Sequence, residues 1–248
     1  MLCRTAAAFL LIVTIAPAIA GACGVPGAGG PAGVTLCNLK DRKQLAAKPD
    51  RVGLRLSTGF AHSDTGIIFP GGDTIAIERS AASASLEYRV RDDLVLTATG
   101  GAVVRGSISG GVSARVLPGP LVALSLSWRI LGAKPTEPLV LFGTTLSFVH
   151  HQTEVLFGAR EPYTAFDLRV GLIVGKTFWD VFTPYAAFRL FGGPVFYRLG
   201  GQALMGGDLY HFQVGAGFSI AIARRLDLFF EGVPLGERAL NAGVGVSL

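Results

Sequence analysis

From Phe212 to Ile222 every second residue is apolar: Phe212, Val214, Ala216, Phe218, Ile220 and Ile222. Between them stand Gln213, Gly215, Gly217, Ser219 and Ala221. A period of two predicts a strand with one apolar face and one small or polar face. The same period recurs about ten times between Arg51 and Leu248. Val52–Phe60, Ala82–Val90, 94–104, Val122–Ile130, 138–151, Phe166–Val174, 183–198, Leu226–Phe230 and Leu240–Leu248 each carry it. Within 183–198, Gly192-Gly193-Pro194 predicts a bend or bulge, because proline cannot donate to a ladder.

The connections alternate in length. Short links are expected at 91–93, 131–137, 179–182 and 224–225. Longer ones are expected at 63–80, 105–120, 152–163 and 199–209, with a shorter one at 234–238. The 105–120 stretch has room for an extra strand segment. Tyr88, Trp128, Phe178, Trp179 and Phe182 gather at the ends near the short links. Phe148, Phe166, Phe196, Tyr197, Tyr210 and Phe212 gather at the opposite ends. Two aromatic girdles, short turns on one side and longer loops on the other are the pattern of a barrel crossing a bilayer.

Composition decides which face meets what. Half of the 248 residues are hydrophobic and only 16% are charged. There are five lysines, of which only Lys134 and Lys176 lie beyond residue 50. A water-soluble barrel would spread Lys and Glu over its outside. The large apolar face is therefore expected to touch lipid, and the Gly/Ser/Arg/Glu face to line an interior. Closure is required, because an open sheet edge in lipid leaves backbone groups unpaired. The net charge of +5 forms no basic stripe, so nucleic acid is not an expected partner.

Residues 1–20 read as an export signal: Arg4, an apolar run over 6–16, Pro17, then the small-residue site Ala18-Ile19-Ala20. Residues 21–50 read as a flexible periplasmic or plugging segment, and 51–248 as the barrel. Cys23 and Cys37 can close a disulfide in an oxidising compartment, or Cys23 can be a lipidation site. No phosphate loop, zinc motif or hydrolase elbow is present, and no cofactor or metal site is expected.

On these patterns residues 51–248 resemble the small Gram-negative outer-membrane β-barrel proteins of eight to twelve strands. The ending NAGVGVSL resembles their C-terminal assembly signal, with Leu248 where Phe or Trp is usual. The resemblance implies an all-β, antiparallel up-and-down transmembrane barrel of about 10 strands in the bacterial outer membrane. It implies outer-membrane lipid, lipopolysaccharide and the barrel-assembly machinery as partners, with a monomer expected.

The register places a charged set inside: Arg55, Glu87, Arg89, Arg129, Asp167, Arg169, Arg189, Asp227 and Glu231. Charges in a narrow interior should be paired. They predict an ion-pair network filling the lumen, or a constriction that selects small solutes. The four histidines (His62, His150, His151 and His211) map to outer strand ends. Omptin proteases and lipid A deacylases place catalytic groups there, but their motifs are not matched. Asp208 and His211 lack a facing acidic pair. His62 and Ser63 are adjacent, so they face opposite ways. A structural or surface-loop role, a narrow channel and an outer-rim enzyme on lipid or peptide are the readings, in that order, with no catalytic residue assigned.

Overall fold

A computed structural model describes residues 53–248, except 92, 112, 133–136, 156–157, 180, 200 and 224–225. The export signal, the 21–50 segment and the Cys23–Cys37 pairing lie outside the described residues. The strands are β1 (Leu54–Ile68), β2 (Thr74–Arg91), β3 (Leu94–Ser109), β4 (Ala114–Val116), β5 (Gly119–Leu131), β6 (Leu139–Val155), β7 (Arg160–Gly175), β8 (Phe182–Gly192), β9 (Pro194–Leu199), β10 (Gln202–Asp208), β11 (Phe212–Ala223), β12 (Leu226–Gly236) and β13 (Arg238–Ser247).

Ten of them close a ring in the order β1, β2, β3, β5, β6, β7, β8, β11, β12, β13. The seam is antiparallel, from Arg55 opposite Ser247 to Asp64 opposite Arg238. No edge is left in this ring, as a lipid-embedded sheet requires. The remaining three pieces build a second tier above it. β4 bridges β3 and β6, and β9 and β10 bridge β7 to β1. The outer tier is thus a narrower, eight-stranded ring of β1, β2, β3, β4, β6, β7, β9 and β10.

Local chemistry marks each handover. Pro118 and Pro120 flank Gly119, where a Cβ would meet the His150 carbonyl oxygen at 2.1 Å. Gly193 precedes Pro194, and its Cβ would meet the Phe166 carbonyl oxygen at 1.8 Å. The bend expected at 192–194 is therefore a strand break, and β4 is the extra segment for which 105–120 had room. Two expected loops are mostly strand: 63–80 turns only at 69–73, and 199–209 is largely β10. Backbone pairing keeps running there because the outer tier is itself a barrel.

The two tiers are inside-out copies of each other. In the ten-stranded tier the exterior carries Leu56, Leu86, Leu124, Leu146 and Leu168, and the interior carries Ser57, Ser85, Thr97, Ser125 and Thr145. In the outer tier the interior is Ile67, Phe69, Ile75, Ile77, Val103, Ile108, Val116, Tyr163 and Tyr197, packed as one core. Its exterior carries Asp64, Glu78, Arg105, Arg115, Gln152, Arg160 and Arg198. Grease outside and polar inside suits lipid; the reverse suits water. The reversal locates the bilayer at the lower tier. Tyr88, Trp128, Phe178 and Trp179 are exposed at one border, and Phe166, Phe196, Tyr210 and Phe212 at the other. Tyr197 was expected in that outer girdle, but it points inward and is buried in the outer-tier core.

Candidate functional site

Seven of the nine expected interior charges meet in three clusters. Arg55 on β1 pairs with Glu87 on β2, and its Nη2 donates to both carboxylate oxygens of Asp227 at 3.0 Å. Arg189 on β8 makes a two-pronged pair with Glu231 on β12, at 3.0 and 2.6 Å, and Asn241 donates to the same carboxylate at 3.2 Å. Arg169 on β7 pairs with Asp167 and, at 2.9 Å, with Glu237. The Arg169 guanidinium also lies 4.5 Å from the centre of the Phe191 ring. Hydroxyl pairs such as Ser85 with Thr99 at 2.7 Å fill space between clusters. Arg89 and Arg129 face inward and lie half-buried at the end of the barrel that carries the short links, opposite Val95 and Leu141.

Two buried charges escape the sequence pattern. Glu237 falls in a stretch expected to be a link, yet it is 1% exposed and accepts from Gln213 at 2.9 Å. Gly236, at φ +81°, turns the β12–β13 hairpin tightly enough to point it inward. Arg79 also lies in an expected loop, yet it is buried beside the outer-tier core. With Asp167, Arg169 and Asp208 it borders a cavity of about 20 Å³.

The outer-tier core holds a stacked column. His151 lies flat on Tyr163 with centroids 4.5 Å apart, and Tyr163 meets Tyr197 at 6.0 Å. Burial, helped by Arg79, pushes the His151 imidazole down to about 3. Burial, with Asp167 and Glu237 nearby, raises the Asp208 carboxyl to about 6.

The histidines part company. His150 Nδ1 sits 2.8 Å from the Thr164 hydroxyl. His211 is exposed with Nδ1 3.3 Å from the Phe191 carbonyl oxygen, while Asp208 faces the interior cavity. His62 is on the exterior wall at the upper border of the apolar belt. Its Nδ1 is 3.1 Å from Ser80 Oγ, and its Nε2 is 3.3 Å from Glu78 Oε1. Ser63, the neighbour considered from sequence, is buried inside. The signal that identifies Ser80 is the β1–β2 hairpin: folding at Gly71-Gly72 brings it opposite His62.

A closed ring with an apolar outer belt, aromatic borders and a charged interior defines a transmembrane β-barrel, and that is the class of fold this chain has. No protein-family model matches the sequence, and a search of curated proteins finds no match. Among solved structures it is similar to the outer membrane protease OmpT from Escherichia coli (TM-score 0.49, 11% identity, 81% of this chain and 98% of that one). It is also similar to an outer membrane channel from Pseudomonas putida F1 (TM-score 0.43, 10% identity, 79% and 96% of the two chains). A third is Neisserial surface protein A (TM-score 0.39, 14% identity, 79% and 97%).

Proposed function

We propose that this protein is a sealed outer-membrane barrel whose role is structural and outward-facing. The observation that carries the reading is the outer-tier core. Ile67, Ile77, Val103, Ile108, Tyr163 and Tyr197 stand where a channel would need water. Conduction through a barrel needs a hydrated path past charged or carbonyl groups. Below the core, the Arg55, Arg169 and Arg189 clusters hold their carboxylates at contact distance rather than lining an aqueous ring. They tie together strands that are not neighbours in the ring, β1 to β12, β8 to β12 and β7 to the β12–β13 turn, and the outer tier then presents a stiff, charged surface above the lipid. Its turns are short, so the displayed surface is sheet rather than long loops.

Vesicle swelling tests this. The full mature chain, refolded into lipid vesicles, is expected to give no swelling with glycerol or small sugars. Solute-dependent swelling above that of empty vesicles would refute the sealed reading.

A further inference from the structure

We propose that Ser80, His62 and Glu78 form an ester-hydrolysing site on the lipid-facing wall, acting on the acyl esters of outer-leaflet lipids. This goes beyond the sealed-barrel reading and does not depend on it, because the same wall would serve a conducting barrel.

The three side chains stand in the order that nucleophilic catalysis needs: hydroxyl, imidazole, carboxylate, each within hydrogen-bond reach of the next. With the Ser80 hydroxyl donating to His62 Nδ1 at 3.1 Å, the Nε2–H stands on the side of Glu78, whose Oε1 is 3.3 Å away. That tautomer is the one in which His62 acts as a base towards Ser80. The His62 side chain is 44% and the Glu78 side chain 59% exposed, whereas Ser80 is 5% exposed and shielded from bulk water. A register shift falls between Ser80 and Ala81, opposite Arg105 and Val103. Bulges of this kind re-aim side chains beside active sites. Arg105, the partner of Ser80 on β3, is exposed on the same face and supplies positive charge for an oxyanion.

The wall also defines the substrate. One row of register partners runs across five strands, Ala186, Ala216, Gly232, Leu240, His62, and ends at Ser80. Its small members open an apolar furrow of about 830 Å³ that reaches His62. The furrow lies in the belt that touches hydrocarbon, and its His62 end lies at the polar border with Asp64 and Arg238. An acyl chain belongs in the first part, and the ester joining it to a headgroup belongs at the second.

In the reaction, Ser80 Oγ attacks the ester carbonyl carbon while its proton passes to His62 Nδ1. Glu78 steadies the imidazolium that forms. The carbonyl oxygen takes the negative charge. On collapse the ester C–O bond breaks, and His62 returns the proton to the departing alkoxide. The products are a lyso-lipid and acyl-Ser80. Water, losing a proton to His62, then attacks the acyl carbon, releasing a fatty acid and restoring Ser80. The sum is one ester and one water to one alcohol and one acid.

The test uses the full mature chain refolded in vesicles of phosphatidylethanolamine and phosphatidylglycerol, and separately in vesicles doped with lipid A. Mass spectrometry reads the fatty acid and deacylated lipid, and a fluorophosphonate probe reads Ser80 directly. Release from either ester source that drops roughly 10²-fold or more in Ser80→Ala and His62→Gln supports the proposal. Ser80→Cys, which keeps a nucleophile and the packing, should retain acyl transfer. Glu78→Gln, a positioning change, should lower kcat with KM unchanged and shift the pH profile. Folding of each variant is checked by heat-modifiable gel mobility. Release that persists in folded Ser80→Ala overturns the assignment. So does folded wild-type chain that yields no product from either lipid and takes up no probe.

Discussion

The guanidinium of Arg55 lies over Gly245: a Cβ at that glycine would stand 1.7 Å from Arg55 Nη2. The missing side chain is what lets Arg55 span from Glu87 to Asp227, two strands beyond its own. Gly245→Ala should push Arg55 off both carboxylates and leave them buried without their cation. Breaking a buried pair costs about 3–5 kcal/mol. Urea unfolding in vesicles should show a loss near the low end of that range, since the chain of Arg55 can shift.

The Arg189–Glu231 pair gives a cleaner separation of terms. Arg189→Leu leaves Glu231, 1% exposed, without its cation and with neutral partners such as Asn241. That variant should lose about 3 kcal/mol or more. Adding Glu231→Leu should recover most of the loss, because the stranded charge goes with it. A double variant no more stable than Arg189→Leu alone would mean the pair matters for packing rather than charge.

Acid should act on the outer tier in two opposing ways. Asp208 keeps its proton to about pH 6 when folded, whereas an unfolded aspartate loses it near 4. Its contribution is full below about pH 4 and is lost as pH rises towards 6. His151 stays neutral when folded down to about pH 3, whereas unfolded histidine protonates near 6.5. Its contribution is full above about 6.5 and is lost as pH falls. Each slope is at most about 1.4 kcal/mol per pH unit. Asp208→Asn should therefore raise stability at pH 8 but not at pH 4. His151→Phe, which keeps the stack on Tyr163, should remove the acid-side loss. Unfolding midpoints at pH 4, 6 and 8 check both signs.

The lower tier was legible because lipid leaves a strong imprint. Leu124 and Leu126 against Ser125 and Ser127 fix both the strand and its faces. Seven interior charges followed from parity alone, whereas which of them pair, as Arg189 does with Glu231 and Arg55 with Glu87, depends on cross-strand register. The outer tier was harder for a physical reason. Where the barrel leaves the membrane the faces exchange roles, so Ile75 and Ile77 point in while Ala76 and Glu78 point out. Period two is unchanged by that exchange and does not say which face is wet. Arg79 and Tyr197 were misplaced on this account, and Glu237 because a tight hairpin resembles a loop in sequence. The contact of His62 with Ser80 depends on cross-strand register, which parity does not supply.

The outer-tier core should also carry much of the stability. Ile77 is fully buried among Ile75, Val103 and Ile108. Ile77→Ala should cost about 2–5 kcal/mol, the range for truncating a packed aliphatic side chain. It should leave membrane insertion intact, since the lipid-facing belt is untouched. Unfolding curves together with vesicle flotation separate the two effects.

If the outer-tier core seals the lumen, planar-bilayer recording of the full mature chain gives a folded, inserted barrel with no stable conductance steps at either polarity. Reproducible unitary steps from that protein, altered by neutralising Arg169 or Arg189, would show a hydrated path through the core and contradict it.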